Sequence, residues 1–378
     1  MKLKFITDFE QIKDQQGQWD AVAGSFPFSR WSWMANWYQY LGEDLQLAIL
    51  VATDDDGNWT GIAPWCIDEL SSFTRRLRLL GSGAACSDYL DLICNPENYR
   101  EFSEACTDWL VANIGNPATL GKIDAIELEG ITPNSPQTKY LCDLFQAHGL
   151  QSHATDLEGG WEVELPSQWS ELNSCFSKSM RRKTKKAVQR LKAPETEIVA
   201  AKVGDFDELW PVFTELHQQR RKMLGQSGCF ADQNFEAFLR QATKSLLHEG
   251  IAQLRFIYRE GKPLASMLLF NDQRTVYMYQ SGMDSERLKL EPGYQIGTSA
   301  IQSAIEDGFS KFDFLRGDEP YKARWNTTRI PILRTRFIPR NSFAKIKHGI
   351  WLTGRSLKHL AGDASGVWNR NSKTETNQ

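Results

Sequence analysis

The segment from Thr275 to Trp325 constrains the fold more than any other part of this 378-residue chain. β-forming side chains alternate over Thr275–Ser281, which predicts a strand. Pro292-Gly293 precedes apolar residues at helical spacing, and Asp307-Gly308 ends that pattern, so a helix is predicted between them. Phe312–Leu315 follows as a second short strand. A strand, a helix opened by glycine and another strand are typical of an α/β unit, and such a helix N-terminus can bind phosphate.

A family resemblance rests on the order YxYxSGxD, PGY and FDFLRGDEPYKxxW within this segment. It resembles the C-terminal half of the CelD-type acetyltransferase domain, which belongs to the GNAT superfamily and is related to the FemAB peptidyltransferases. Phe28–Trp33, Leu79–Asp91 and Met180–Leu191 resemble further elements of that family, so the resemblance covers most of the chain. It implies an α/β (α+β) fold of two fused GNAT-like units, each a mixed, mainly antiparallel sheet flanked by helices.

The domain organisation follows from a similar order of predicted elements in the two halves. Each half contains a hairpin, a third strand, a helix and a fourth strand. We expect an N-terminal GNAT-like unit over residues 1–160 and a C-terminal GNAT-like acyltransferase unit over 161–345, which holds the donor site. Residues 346–378 are expected to form a terminal helix followed by a frayed tail.

The donor site implied by the resemblance is framed by the first strand and the start of the helix. Its candidate residues are Tyr279, Ser281, Gly293, Gln295 and Arg316. In GNAT folds, pantetheine pairs with the exposed strand and the helix N-terminus takes the pyrophosphate. The usual RxxGxG/A loop is replaced here by Leu290–Gly297, so acetyl-CoA or another acyl-CoA and an aminoacyl-tRNA both stay open as donors. An ordinary strand–turn–helix is the alternative to a donor site.

The polar loop after Leu315 holds the candidates for catalysis. Lys322 or Arg316 would neutralise a phosphate or an oxyanion, and Glu319 or Asp318 would take a proton from an acceptor amine. Tyr321 would protonate the leaving thiolate. Density of charge alone also fits a solvated loop, and the functional interpretation is favoured mainly by the resemblance.

A further catalytic candidate, Asp88, comes from the first half. The glycines of Leu80–Ala85 do not precede a helix, because Ser87–Ile93 is predicted to be a strand, and this excludes a dinucleotide-binding loop. Asp88 would then start that strand. It is either a solvated turn acid or, as the resemblance suggests, a carboxylate facing the acceptor.

A basic helix is predicted over Lys178–Lys192, with eight Lys or Arg residues and no acid. It is either a helix packed on the protein with its basic face exposed to solvent, or a site for an anion. Such an anion could be the CoA 3′-phosphate, an anionic sugar carrier, tRNA or an anionic lipid. For His217, on another predicted helix, a structural role is favoured over a catalytic base. A cysteine nucleophile at Cys86 or Cys229 is a weak alternative, since neither has a histidine beside it in sequence.

Composition limits the remaining classes of protein. The formal net charge is −3, so any basic surface is local. No apolar run reaches the roughly 20 residues that a transmembrane helix needs, and the first residues do not form a signal peptide, so we expect a cytoplasmic protein. Seven cysteines without a CxxC pair argue against disulfides and zinc, and no metal is expected.

These observations together favour an acyl-CoA-dependent N-acyltransferase. The acceptor would be an amine, such as an amino sugar of a cell-surface or extracellular polysaccharide. A Fem-like transferase that uses aminoacyl-tRNA is the alternative enzyme. A non-catalytic GNAT-like scaffold in polysaccharide assembly is the alternative outside enzymes, and it predicts no CoA binding.

Overall fold

The structure is a computed structural model that describes residues 1–71, 74–223, 225–340 and 349. The strands are β1 Lys2–Ile6, β2 Gln46–Leu47, β3 Ile49–Thr53, β4 Trp59–Ala63, β5 Trp65–Ser71, β6 Thr74–Leu79, β7 Ile93–Cys94, β8 Ala125–Ile131, β9 Gln151–Asp156, β10 Gly160–Glu164, β11 Thr196–Ala200, β12 Ala252–Arg259, β13 Lys262–Asn271, β14 Thr275–Met283, β15 Lys311–Arg316, β16 Thr328–Ile330 and β17 Leu333–Ile338. The α-helices are α1 Gln16–Ala23, α2 Trp31–Leu41, α3 Tyr99–Asn113, α4 Pro136–Ala147, α5 Trp169–Cys175, α6 Lys178–Leu191, α7 Phe206–Met223, α8 Gln233–His248 and α9 Pro292–Glu306.

One long hairpin divides the N-terminal half into two sheets. Both of its strands are interrupted, at Ala48 between β2 and β3 and at Pro64 between β4 and β5. The hairpin therefore contributes to a four-stranded sheet, β1-β3-β4-β7, and to a six-stranded sheet, β2-β5-β6-β8-β17-β9. In the larger sheet β6 and β8 are parallel, and the chain between them forms α3.

The C-terminal half is built on one seven-stranded sheet with the order β11-β12-β13-β14-β15-β10-β16. β14 and β15 run parallel because α9 crosses between them, and the other neighbouring strands of this sheet run antiparallel. Each half thus carries one parallel pair with a helical crossover, in a sheet that is otherwise antiparallel.

With the N-terminal half taken to end after β10, four residues beyond the predicted boundary at residue 160, each half contributes one strand to the sheet of the other. β17, which lies near the C-terminal end of the described chain, pairs with β8 and β9 of the N-terminal sheet. β10, which follows β9 directly, pairs with β15 and β16 of the C-terminal sheet. The exchanged strands occupy equivalent places, each between the second strand of the parallel pair and the strand that follows it in sequence. Neither sheet is complete without the other half of the chain.

Different elements cover the two faces of the C-terminal sheet. On one face, Ile296 and Ile301 of α9 pack with Met267 and Leu269, and α6 lies against α9. On the other face, α7 packs on β14 and β13, and α8 packs on both β12 and α2 of the N-terminal half. The second face is therefore continuous with the N-terminal core.

Aromatic side chains and one ion pair join the two halves. Trp33 of α2 contacts the rings of Phe238, Phe270 and Tyr279, with centroids 4.9–5.5 Å apart. Arg30 pairs with Glu249 at the end of α8, with Nη2 and Oε2 2.8 Å apart. Burial of several large rings in one cluster favours a fixed arrangement of the halves.

Most predicted elements are confirmed, including the mixed α/β class with helix-flanked sheets. The strand predicted over Ser87–Ile93 is wrong: residues 87–92 form a loop, and only Ile93–Cys94 is a strand. Tyr89 has φ = +61°, which a strand does not tolerate. The terminal helix and tail expected over 346–378 lie outside the described residues, apart from residue 349.

Gly282 of β14 is tightly enclosed by the backbone of α7. An ideal Cβ there would lie 2.6 Å from the Leu216 carbonyl carbon and closer still to the His217 amide nitrogen. Gly282→Ala is expected to lower the free energy of unfolding by about 1–3 kcal/mol, because α7 must move off the sheet. Urea denaturation measures this difference.

The matched control is Gly17→Ala in α1, where an added Cβ meets nothing within 4 Å. It is expected to leave stability unchanged or to raise it by about 0.5–1 kcal/mol. Equal effects of the two substitutions would contradict the close approach of α7 to β14.

Candidate functional site

β14 and β15 diverge, and the gap between them is the candidate site. Their ladder ends at Tyr277 and Asp313, whereas β14 stays paired with β13 up to Met283. A bulge at Tyr279 interrupts the β13–β14 register, since Leu268 pairs with Gln280 and Leu269 with Met278. We call the gap beyond Tyr277 and Asp313 the notch. It leaves one edge of β14 without a strand partner in the described chain.

Backbone conformation on the β15 side explains the divergence. Leu315 has φ = +55° and Gly317 has φ = +127°, and the β10–β15 register also shifts just before Arg316. Left-handed conformation at a leucine is strained and persists only where surrounding contacts hold it. β15 therefore turns away from β14 at Leu315.

Asp313 holds this turn from the N-terminal side. Its Oδ1 accepts a hydrogen bond from the Leu315 amide at 2.7 Å, and its Oδ2 accepts one from the Tyr89 hydroxyl at 2.7 Å. The carboxyl is fully buried, and burial raises its pKa from 3.8 to about 7. Tyr89 is the left-handed residue of the loop that was predicted as a strand, so strained residues from both halves meet at one carboxyl.

Lys322 holds the turn from the other side. Its Nζ, which is buried, donates to the carbonyl oxygens of Leu315 at 3.2 Å and Arg316 at 2.8 Å, and lies 3.0 Å from the Glu319 Oε2. Trp325, one turn further on, packs under α9, where a Cβ at Gly297 would lie 2.9 Å from the ring. The lysine binds two backbone oxygens at the turn itself, which is a positioning role.

Asp88 and Arg316 form an ion pair between the halves. The Asp88 carboxyl is fully buried and accepts from the Arg316 amide at 2.8 Å and from its Nε at 2.6 Å. Burial raises the pKa of Asp88, and the charge of Arg316 opposes that shift. Glu129 of β8 lies 3.6 Å from Nη1 of the same guanidinium. Both predicted site residues are thus at the notch, and each is bound to the other.

Tyr279 does not face the predicted donor side. Its ring lies in the aromatic cluster with Phe28, Trp33 and Phe270, and its hydroxyl donates to the Ala85 carbonyl oxygen at 2.6 Å. Tyr277 lies in the same core, so Tyr279 faces the N-terminal half through the regular alternation of β14. Its contribution is to fix β14 where the notch begins.

Ser281 and Gly293 lie on the α9 side of the sheet. Ser281 pairs with Met267, which belongs to the core under α9, and a Cβ at Gly293 would lie 3.4 Å from the Met283 methyl group. Gln295 is buried; its Nε2 donates to the Leu290 carbonyl oxygen, while Oε1 has no partner in the described chain. The structure brings these three predicted donor residues to one side of β14.

Cations of α6 surround the first turn of α9. Lys183 Nζ lies 3.1 Å from the Tyr294 hydroxyl oxygen and 4.3 Å from its ring centre, and Arg324 Nη1 donates to the same oxygen at 2.8 Å. Burial would raise the pKa of Tyr294, but the hydrogen bonds from both cations lower it. Arg190 and Lys186 pair with Glu291, the residue before α9, at 3.0 and 3.4 Å. Two cations therefore converge on a single hydroxyl oxygen at the first turn of α9.

The opposite wall of the notch is formed by α7. Gln280, on this face of β14, has Nε2 3.9 Å from the Cys229 sulfur, and that sulfur is 3.9 Å from His217 Nε2. Burial and the charge of Arg221 lower the pKa of His217 to about 4, although the amides of Gln218 and Gln280 favour the protonated ring. Burial raises the pKa of Cys229 to about 11. The imidazole and the thiol are both neutral at physiological pH.

The polar residues of the loop after β15 have different environments and different partners. Glu319 is half-exposed beside Lys322, whereas Tyr321 is largely buried, and burial raises its pKa. Asp318 accepts from the Gly159 amide and the Trp161 indole and pairs with Arg329. The two acids predicted as alternatives are about equally exposed; Asp318 is tied to β10 and β16, whereas Glu319 is paired with Lys322 at the turn of β15.

Sequence reasoning missed four contributors: Tyr89, Glu129, Asp313 and Tyr294. Asp313 offered a signal, since it is the single acid in the otherwise apolar stretch Phe312–Leu315, and a buried acid requires a partner. The partner, Tyr89, is more than 200 residues away and could not be identified from local pattern.

A comparison with protein families matches residues 175–323 to the acetyltransferase (GNAT) domain. This span contains α6, α7, β14, α9 and β15, and so includes the notch. The predictions of a GNAT-type domain and of a transferase are confirmed for this part of the chain. No curated protein sequence matches the chain.

Solved structures share the fold over most of the chain. FemX matches with a TM-score of 0.63 and 12% identity, over 89% of this chain and 97% of that one. L-PGS from Bacillus licheniformis has a TM-score of 0.53 and 12% identity, over 89% and 93%. The C-terminal domain of a putative lysylphosphatidylglycerol synthetase from Agrobacterium fabrum matches with a TM-score of 0.53 and 10% identity, over 89% of this chain and 95% of that one. At these identities the similarity is one of fold.

The described residues contain neither a candidate metal site nor a candidate transmembrane helix. No group of three or more His, Cys, Asp or Glu side chains within residues 1–71, 74–223, 225–340 and 349 is arranged to hold a metal ion. In that same part of the chain, no helix has the length and hydropathy needed to cross a bilayer.

The raised pKa of Asp313 predicts a pH dependence of stability. Because the folded-state pKa of about 7 exceeds the unfolded value of 3.8, burial destabilises the charged carboxylate. Relative to Asp313→Asn, the wild type should lose free energy of unfolding as the pH rises from 4 to 7, by up to about 4 kcal/mol, and then level off. Chemical denaturation of both proteins across this range measures the difference.

Asp55→Asn serves as the control, because Asp55 is fully exposed. Its stability relative to the wild type should stay nearly constant over the same range. A flat difference for Asp313→Asn as well would show that Asp313 is not buried in the protonated form.

Proposed function

We propose that the protein is an acyl-CoA-dependent N-acyltransferase that transfers an acyl group from a thioester in the notch to an amine. The observation that carries this proposal is the divergence of β14 and β15 beside the first turn of α9. An unpaired strand edge can bind the amide groups of an extended pantetheine as a further strand would. The neighbouring cations can then hold its phosphates.

The reaction requires no covalent enzyme intermediate. The amine nitrogen attacks the thioester carbonyl carbon, the C–S bond breaks, and the products are an amide and a thiol. Holding both reactants in one gap accounts for a large part of the acceleration. Backbone N–H groups on the unpaired edge of β14 would stabilise the oxyanion.

The polar loop supplies the proton transfers in this scheme. Glu319 takes the proton that the amine loses, since its carboxylate is accessible and stands next to the notch. Tyr321 keeps its proton at neutral pH and gives it to the departing thiolate. Asp88, Arg316 and Lys322 position the β15 end, because their polar atoms are bound to each other or to the backbone.

The acceptor class follows from the CelD-type resemblance of the motifs around Thr275–Trp325. We propose an amino sugar destined for a cell-surface or extracellular polysaccharide. A cytoplasmic location fits this scheme, since acyl-CoA is available there.

The donor phosphates are assigned to the cation cluster of Lys183, Arg324, Lys186 and Arg190. The first two share the hydroxyl of Tyr294, which a phosphate oxygen would replace as a stronger acceptor. The last two are paired with Glu291, which stands where a glycine-rich loop is usual. Side-chain cations would thus do here what backbone amides do in the usual loop.

Binding of acetyl-CoA and CoA by isothermal titration tests this assignment. Lys183→Ala and Arg324→Ala are each expected to weaken CoA binding about tenfold, the loss of one charge-assisted hydrogen bond. Gly293→Trp is expected to abolish binding, because its side chain would fill the space between α9 and Met283.

Lys185→Ala is the matched control on α6, because Lys185 is exposed on the same helix. It should bind CoA as the wild type does. Failure of the wild type to bind either ligand would reject the acyl-CoA donor. Equal losses at Lys183 and Lys185 would reject the specific phosphate site.

A second candidate, transfer from aminoacyl-tRNA, is favoured by the exposed basic face of α6. Lys178, Arg182 and Lys185 are exposed on the face opposite Met180 and Ala187. If this face binds tRNA, affinity should fall steeply with salt, and substitution of these three residues should reduce the salt dependence. Tight tRNA binding without CoA binding would favour this second function.

A further inference from the structure

The α7 wall of the notch contains polar groups that the proposed donor chemistry does not use. His217 is 1% exposed, and its Nδ1 has no hydrogen-bond partner in the described chain. A buried ring nitrogen without a partner is costly and therefore points to a ligand that satisfies it.

The position of His217 is set by the close approach of α7 to β14. The backbone of Leu216 and His217 lies against Gly282, three residues beyond the bulge at Tyr279. At this point β14 has already lost β15 as a neighbour. His217 therefore stands beside the stretch of β14 that no longer has β15 as a neighbour.

Gln280 brings a second polar group to the same place. Its partner across the sheet is Leu268, which packs on the N-terminal side, so the amide lies on the face opposite Ser281. The donor is thereby assigned to one face of β14, and the polar groups on the other face are left for the acceptor.

We propose that His217 and Gln280 form the subsite for the amino group of the acceptor. This inference rests on the proposed acyl transfer and names the residues that select its amine. With His217 Nε2–H directed to the Cys229 sulfur, Nδ1 is an acceptor for an amine N–H. The amine then donates to the ring and keeps its lone pair for the attack.

Charge at the subsite selects the unprotonated amine. The ring and the Cys229 thiol are neutral, and the charge of Arg221 acts on both groups. An ammonium group would be repelled there, whereas a neutral amine satisfies the unpaired Nδ1. The subsite thus favours the form of the substrate that can act as a nucleophile.

NMR of [¹⁵N]histidine-labelled full-length protein tests the subsite without any acyl donor. The chain has six histidines, and His217→Leu identifies the His217 resonances. D-Glucosamine and ethanolamine, added above the pKa of each amine, are the probes, and D-glucose is the control without an amine. We expect both amines to shift the His217 ring nitrogens while the resonances of His148, on the remote end of α4, stay in place.

Gln280→Leu should weaken the amine titration at least about tenfold, the loss of one buried hydrogen bond. The matched control is Gln219→Leu, because Gln219 lies on α7 but donates its hydrogen bond to Glu215 of the same helix. It should leave the titration unchanged. Absence of a His217 shift with either amine, or an equal shift with D-glucose, overturns the subsite.

These results separate the subsite from the proposed function. Amine-specific shifts in a protein that binds no CoA would retain the subsite and reject the acyl-CoA donor. CoA binding without any amine-specific shift would retain the donor and reject His217 and Gln280.

Discussion

The turn of β15 at Leu315 is the constraint on which the site depends. If β15 continued beside β14, the parallel ladder would extend past Asp313 and the notch would not exist. The turn requires a left-handed conformation at Leu315. The Asp313 carboxyl accepts a hydrogen bond from the Leu315 amide, and the Lys322 ammonium donates one to the Leu315 carbonyl oxygen, so both backbone groups of the leucine are held. Strain of this kind is stored where function needs an irregular backbone. In this structure the residues that resemble a catalytic motif are largely those that stabilise the strain.

Strand exchange extends the constraint to the whole chain. β10, which enters from the N-terminal half, is the strand on the far side of β15, and its register shifts where β15 turns. Tyr89 and Asp88 reach the same turn from the N-terminal loop. A change in the relative position of the halves would therefore alter the width of the notch. Since each sheet borrows a strand, the two halves are expected to fold as one cooperative unit.

Local pattern in the sequence was sufficient for the elements around the notch. The alternation of Thr275–Ser281, the Pro292-Gly293 start of α9 and the short β15 are all present as predicted. These signals depend on neighbours within a few residues, which the sequence displays directly. The prediction of a strand over Ser87–Ile93 was wrong because its apolar residues belong to a loop that packs between the halves. Tertiary contacts there override the local propensity for a strand.

Roles of individual side chains were harder to predict, because they depend on which face of a strand or helix each residue occupies. The bulge at Tyr279 interrupts the alternation of β14: Tyr279 lies in the aromatic core on the same face as Tyr277, and Gln280 occupies that face as well, next to α7. His217, for which sequence favoured a structural role, comes to the notch only because Gly282 admits the backbone of α7.

The division of β14 into two faces has a chemical consequence. On one face of β14, Ser281 lies on the side of α9 and of the cations around Tyr294, which suit a phosphorylated thioester. On the other face, Gln280 lies next to His217 of α7, and both side chains are neutral. An acyl donor rich in negative charge and an amine that must lose its proton need opposite environments. Both environments lie within the width of one strand, because Gln280 and Ser281 are adjacent and occupy opposite faces of β14 just beyond the bulge, where β15 has departed. Direct transfer then needs only that the two ligands occupy the notch together.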